Sequence, residues 1–323
     1  ILGGGADNYK SARSPDLQKE FTRGNFDAGL DQLWRHNISH LGFLNAFLQY
    51  TSGNHIRRAL YILQKIKGHL KRTETATRRV VTSLGIAPVN PSFFRSYGQL
   101  LKEIFEPEIF ITLGHLSYPD IVTTSCFIMP PTVFKFSKDY NPTYGHTLEA
   151  SIRLLRHIAS VTTYPALVLS FTMQGRLYQT LRGLFGIKRK RDRFQVFAPC
   201  RSFQSFSQPA SVCSSTNDRS WYNYRYYDNL RVSMTHNTRA NLAMTFDSEQ
   251  ALRTKVCGTK QSAVNLTYGL AAYAVDFDSS PNQCPDLTLS GSFKRAALLA
   301  NLHTFVTENY VTASKKNECE VVT

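Results

Sequence analysis

Six strand-like segments, each followed by one with helical periodicity, constrain this 323-residue chain more than any other feature. Ile1–Leu2 with three glycines reads as a strand end and turn, and apolar strands are predicted at 40–50, 79–88, 108–116, 165–173 and 268–277. Helices are predicted at about 14–36, 54–71, 93–104, 147–159, 247–256 and 291–310. Ser14-Pro-Asp-Leu opens the first with an N-cap serine and a proline at the first helical position. In the second, Ile56, Leu60, Leu63, Ile66 and Leu70 fall on one face. Alternation of this kind means parallel βαβ units, whose strands are buried on both faces and read as continuous apolar runs. The class is α/β. Residues 179–240 break the rhythm: they are polar, basic and aromatic, with no long helical face, and read as an insertion after the fifth strand.

A chain of this length buries a large core, as one barrel-sized domain or two smaller ones. Its 42% hydrophobic and 12% aromatic content exclude a disordered chain. No apolar run approaches the ~18 residues of a membrane span. A net charge of +15 favours anionic partners such as sulfated glycans, nucleic acid or acidic surfaces, or serves solubility alone. The six cysteines (126, 200, 213, 257, 284 and 319) are compatible with disulfides without proving them. Asn37-Ile-Ser and Asn265-Leu-Thr are glycosylation sequons, which matter only in a secreted chain. The chain opens on Ile1 with neither initiator Met nor signal peptide, and reads as a processed chain or a fragment.

Two stretches invite ligand readings. The densest basic run, Lys188, Arg189, Lys190, Arg191 and Arg193, suits a sulfated glycan or nucleic acid, and equally a solvated insertion loop. Trp221-Tyr-Asn-Tyr-Arg-Tyr-Tyr227 interleaves aromatic with polar groups; such rings stack on sugars or bases, and they also make an ordinary strand packed within the insertion. His36 and His40 are four apart but straddle a helix-to-strand break, so no metal site is expected. No G-x-S-x-G elbow, P-loop or CxxC occurs, and no cofactor is expected.

Five stretches taken in order resemble glycoside hydrolase family 18, the chitinases and chitinase-like proteins. Gly3–Gly5 resembles the family's third-strand "GG". Ile111-Thr-Leu-Gly-His-Leu-Ser-Tyr resembles "vnlMtYD", and Val168-Leu-Ser-Phe-Thr-Met-Gln-Gly-Arg-Leu-Tyr resembles "lglp.YGrsf". Ala243-Met-Thr-Phe-Asp-Ser-Glu-Gln-Ala-Leu-Arg-Thr-Lys and Gly269-Leu-Ala-Ala-Tyr-Ala-Val-Asp-Phe-Asp resemble the "ydd..s...K" segment and the last strand, "GvmvWsldlDD". The resemblance implies a (β/α)8 TIM-barrel-like fold with a small α+β insertion near its C-terminal end. It is incomplete here, because a chain opening at the third-strand glycines lacks the first two strands. The implied domains are 1–178 (barrel strands three to seven), 179–240 (insertion) and 241–323 (end of barrel and C-terminal helix).

Counted from Gly3, the family's catalytic "DGlDlDwE" strand lies at 41–48. Gly42 matches, but the four acidic positions become Leu41, Leu44, Ala46 and Leu48. Hydrolysis in this family needs an acid to protonate the leaving oxygen and an Asp to orient the substrate's acetamido group. Leu48 and Ala46 do neither. A competing alignment through Phe26-Asp-Ala-Gly-Leu-Asp-Gln-Leu-Trp-Arg puts Arg35 at the acid and equally leaves the motif without its proton donor. The "MtYD" Tyr and Asp become Leu116 and Ser117, and the "YGr" Tyr becomes Met173 or Gln174, while Arg176 is kept. The last-strand Trp, floor of the sugar pocket, becomes Tyr273. Cys213 and Cys284 occupy the positions of a disulfide in the family.

The resemblance thus implies a secreted, glycosylated, non-catalytic chitinase-like protein. Its partner would be a chitin-type oligosaccharide, a sulfated glycan or another protein, with nucleic acid disfavoured and ligand contacts at Tyr273, Arg176 and Trp221. Two other readings stay open. One is an active glycosidase with a displaced carboxylate such as Asp120 or Asp276; the other is a polyanion-binding surface protein with no sugar pocket.

Overall fold

The computed structural model describes residues 2–4, 25–46, 52–116, 126–136, 147–163, 165–181, 192–212, 221, 224–280 and 289–323. The chain divides into two compact units, one of residues 1–113 with 150–169, the other of 114–149 with 170–323.

In the first unit, parallel strands β1 (Leu2–Gly4), β2 (His40–Ala46), β3 (Val81–Ile86), β4 (Ile109–Thr112) and β5 (Ala166–Thr172, shared with the second unit) pair in sequence order. Between them run α1 (Asn25–Arg35), α2 (Gly53–Leu70), α3 (Phe94–Glu103) and α4 (Leu148–Val161). Apolar runs become strands here because both faces are covered: Val80, Leu84, Ile86, Phe110 and Ile111 are buried. The periodic face of α2 packs inward through Ile56, Ala59, Leu60, Leu63, Ile66 and Leu70. At the N-terminal end of the strands, Lys67 Nζ binds Glu74 and Glu108, each at 2.9 Å, and donates to the Val80 carbonyl at 2.6 Å. Glu108 also accepts from the Thr82 amide at 2.8 Å, tying β4 to β3.

In the second unit, the end of β5 adjoins β11 (Gly269–Tyr273), and the Met173 amide donates to the Tyr273 carbonyl at 3.0 Å. A separate antiparallel sheet has the order β7-β6-β10-β9-β8. Its strands are β6 (Gly175–Thr180), β7 (Cys200–Ser207), β8 (Arg225–Tyr227), β9 (Val232–Asn237) and β10 (Leu242–Phe246). Helices α5 (Glu249–Gln261), α6 (Lys294–Thr304) and α7 (Lys316–Glu320) follow. Ser248 caps α5, its Oγ accepting from the Ala251 amide. Disulfides Cys126–Cys200 and Cys257–Cys319 lie in this unit; the expected Cys213–Cys284 pair lies outside the described residues.

The six parallel strands match the sequence reading in order and type, and together with their helices they form an incomplete TIM-barrel-like α/β fold. Several boundaries differ; the helix expected at 247–256, for one, runs on to Gln261. The strand expected at 108–116 stops at Thr112, because the chain turns away to a single bridge between His115 and Thr132. The last strand stops at Tyr273, because Ala274 takes a left-handed conformation (φ 52°) and the chain enters a 3-10 turn, Val275–Asp278. The terminal helix starts at Lys294, later than expected, and continues past Thr304 through one π turn, Phe305–Asn309. The break in rhythm at 179–240 hides further strands, since β7, β8 and β9 fall there.

Candidate functional site

Strand β2 carries Leu41, Leu44 and Ala46, which the sequence resemblance sets at the family's acidic positions. Leu41 is buried and pairs with Leu2 on one side and Thr82 on the other. Gly42 is a steric requirement: a Cβ there would stand 2.5 Å from the Ser83 carbonyl oxygen. Between Phe43 and Ala46 the register with β3 slips, leaving an extra residue on β2. Gly85 lies against that irregularity, with the Leu44 carbonyl 2.6 Å from where a Cβ would stand. An irregularity of this kind interrupts the strict alternation of a strand. Leu48 lies outside the described residues.

In the second unit, residues following β4 meet the ends of β5 and β11. The His115 ring packs on Tyr273 with centroids 4.5 Å apart and planes tilted by 50°. His115 Nδ1 lies 2.7 Å from Ser170 Oγ, which also accepts from the Gly114 amide at 3.1 Å. The imidazole is almost wholly buried (1% exposed), so its orientation is fixed by these partners. Tyr273 keeps part of its surface exposed, while desolvation of its phenol pushes the pKa up from the ordinary value and keeps it neutral. Arg176 is fully buried, donating from Nε to Tyr178 Oη at 2.8 Å and from Nη1 to the Leu116 carbonyl at 3.0 Å. Its guanidinium also lies over the Phe203 ring, 4.9 Å from the centroid. Arg176 and Tyr273 are thus joined through the consecutive residues His115 and Leu116. The sequence has no way to single out His115 and Ser170, which become neighbours only when strands 55 residues apart meet.

Trp221 belongs to another cluster. With Leu177, Val212 and Tyr224 it packs on Ala210, Met244, Phe246 and Leu289, and its carbonyl accepts from the Thr235 hydroxyl. Arg193 is half-buried, its guanidinium 4.7 Å from the Phe194 ring centroid; Lys188, Arg189, Lys190 and Arg191 lie outside the described residues. Asn37 and Asn265 are exposed, Asn37 in a left-handed turn after α1 (φ 61°).

The described carboxylates of the second unit are chiefly structural or peripheral. Asp247 is wholly buried against Lys255 Nζ, which also donates to the Thr132 carbonyl at 2.6 Å. Burial pushes the Lys255 pKa down, although Asp247 opposes the shift. Asp278 binds Arg295 Nε at 2.7 Å and accepts from the Ala296 amide at 2.9 Å, anchoring the start of α6. A small open cleft lies there, but its acidic groups are engaged: Glu249 binds Ser290 and Asp278 binds Arg295. Asp276 is exposed on the 3-10 turn after β11, and Asp120 lies outside the described residues. Among the described residues no cluster of His, Cys, Asp or Glu is arranged to hold a metal ion.

This fold is that of family 18 chitinases and chitinase-like proteins. Ostrinia furnacalis Group IV chitinase, in complex with allosamidin, superposes with a TM-score of 0.62 at 11% identity, covering 94% of this chain and 77% of that one. YKL-39, crystallised in the presence of chitooligosaccharides (GlcNAc4), gives 0.60 at 14% identity, covering 99% and 80%. The chitinase-like agglutinin of Robinia pseudoacacia gives 0.56 at 13% identity, covering 84% and 72%. Neither the protein-family models nor the curated protein sequences match the chain.

Proposed function

We propose that this chain is a chitinase-like protein of glycoside hydrolase family 18 that binds chitin-type oligosaccharides without hydrolysing them. The observation that carries the reading is β2. Where the family's acidic strand would supply its proton donor and its orienting Asp, this chain has Leu41, Leu44 and Ala46 in the strand and Leu48 after it. An alkyl group neither transfers a proton nor orients an amide, so the chemical step has no acid on that strand. Binding is a separate matter. Tyr273, packed on the fixed His115 ring, offers an aromatic face for a sugar, and Arg176 braces the segment that carries His115. The solved neighbours include a chitinase, a chitinase-like agglutinin and a protein crystallised with GlcNAc4, so the fold accommodates both catalysis and binding.

Disulfides Cys126–Cys200 and Cys257–Cys319 suit an oxidising compartment, and the exposed sequons at Asn37 and Asn265 suit glycosylation there. The protein is accordingly assigned to the secretory route. Titration calorimetry with chitotetraose tests the binding half of the proposal. Saturable heat that falls at least tenfold in affinity in Tyr273→Ala supports it; the absence of binding, or binding indifferent to Tyr273, overturns it.

A further inference from the structure

Residues 53–73, which span α2 and the 3-10 turn after it, carry six Lys or Arg and no Asp or Glu. A solvated helix face ordinarily mixes the two signs, because acids and bases four apart stabilise the helix and like charges there destabilise it. Lys67 binds Glu74 and Glu108, and Arg57, Arg58, Lys65, Lys71 and Arg72 stand at exposed positions, whatever their own contacts. Arg58, Lys65 and Arg72 are spaced by sevens. Seven residues fall about 20° short of two full turns, so the three form one nearly straight row of roughly 21 Å on the face away from the core. Between them, also seven apart, come Tyr61 and Gly68. Tyr61 is the most exposed aromatic on this helix, at 49%. A Cβ at Gly68 would meet nothing within 4 Å, so packing does not require glycine there. Glycine in an open helix interior is unfavourable, and its effect here is a shallow step in an otherwise cationic row.

We propose that this outer face of α2 is a binding rail for a linear sulfated glycan, separate from the chitin-type site. A row of three cations with an aromatic ring and a gap between them fits a flexible polyanion whose sugar rings can lie on Tyr61 while its sulfates reach the flanking bases. The two disulfides select the glycan over nucleic acid, because a chain maturing in an oxidising compartment meets sulfated glycans there. Being formed by α2 and the 3-10 turn after it, the rail needs nothing from the chitin-type site.

The test uses heparin-affinity elution and the salt dependence of binding to a heparin oligosaccharide, with the full chain. The triple variant Arg58→Ala/Lys65→Ala/Arg72→Ala should elute at lower salt and lose roughly two to three in the slope of log affinity against log salt, because each lost contact releases fewer counterions. A charge-matched control at exposed positions elsewhere, Arg95→Ala/Lys102→Ala/Arg153→Ala, should lose much less. Gly68→Glu puts an acid into the row while improving helix propensity. It should weaken heparin binding severalfold with the helical circular-dichroism signal intact, which separates the proposal from unfolding. Saturating chitotetraose should leave heparin affinity unchanged. Four results would overturn the rail: wild-type retention in the triple variant and in Gly68→Glu, equal loss in the charge-matched control, loss confined to Lys188→Ala/Arg189→Ala/Lys190→Ala/Arg191→Ala, or a duplex DNA competing as well as heparin of equal charge.

Discussion

The first unit keeps its principal ionic cluster at a rim, where Lys67, Glu74 and Glu108 retain about a fifth to a third of their side-chain surface. The second unit puts ion pairs inside: Lys255–Asp247 is fully enclosed and Arg295–Asp278 nearly so. The same unit holds both described disulfides. Buried pairs give little net stability when made and cost much when broken, because the survivor is a charge without water or partner. Rim pairs behave the other way, each being weak and screened. Both units therefore rest on apolar packing, and the second also encloses ion pairs whose breaking costs more than that of a rim pair.

The largest expected effect follows from that contrast. Asp278→Ala should destabilise the second unit by about 3–5 kcal/mol, since Arg295 would keep its carbonyl partners and lose its only described carboxylate. Denaturant unfolding checks it, with hydrogen exchange assigning the loss to residues of the second unit. A loss below about 1 kcal/mol would mean that the pair is solvated. Next, Cys257→Ser/Cys319→Ser should cost about 2–4 kcal/mol by freeing the chain end beyond α6 from α5, read as a shift of the same transition. In the first unit, Gly42→Ala should cost about 1–3 kcal/mol, because the Cβ meets the backbone of β3 as well as a movable side chain. An unchanged transition would mean that β2 and β3 pair more loosely than their register implies.

The smallest effect is one of pH. Burial works against ionisation of Glu108, but hydrogen bonds from Thr82 and Lys67 hold its pKa below the ordinary 4.5, and Lys67 does the same for Glu74. Their stabilisation is present above pH 4.5 and is lost as pH falls through the depressed values. Lys67 is raised above 10.5 by the same partners, against burial, so its share is present below that pH and lost above it. Exchange protection in β3 and β4 should therefore fall below pH 4.5, and Glu74→Gln should lower it at pH 6 and make that fall smaller. Equal protection at pH 3 and pH 6 would show that the rim contributes nothing.

The contrast between the units also explains what could be read from sequence. Parallel strands covered on both faces are continuous apolar runs, and α2 has a clean apolar stripe, so the six strands and their helices are legible from residues alone. The antiparallel sheet is not. Strands such as Cys200-Arg-Ser-Phe-Gln-Ser-Phe-Ser are short and polar, and their turns depend on left-handed Arg231 and Asn241 rather than on glycine or proline. The proposed loss of carboxylates from β2 rests on local sequence, since the residues of one strand are read directly. His115, Ser170 and the bulge opposite Gly85 are not legible in that way, since each exists only through contacts between distant segments.

The central claim, that β2 leaves the fold without its acid, meets its most direct test in prolonged incubation of the purified chain with chitotetraose, followed by mass spectrometry of the products. The account predicts no cleavage above a buffer blank, even at protein concentrations that saturate the sugar. Cleavage above the blank that vanishes when a single acidic residue, such as Asp276 or Asp120, is changed to Asn would contradict it.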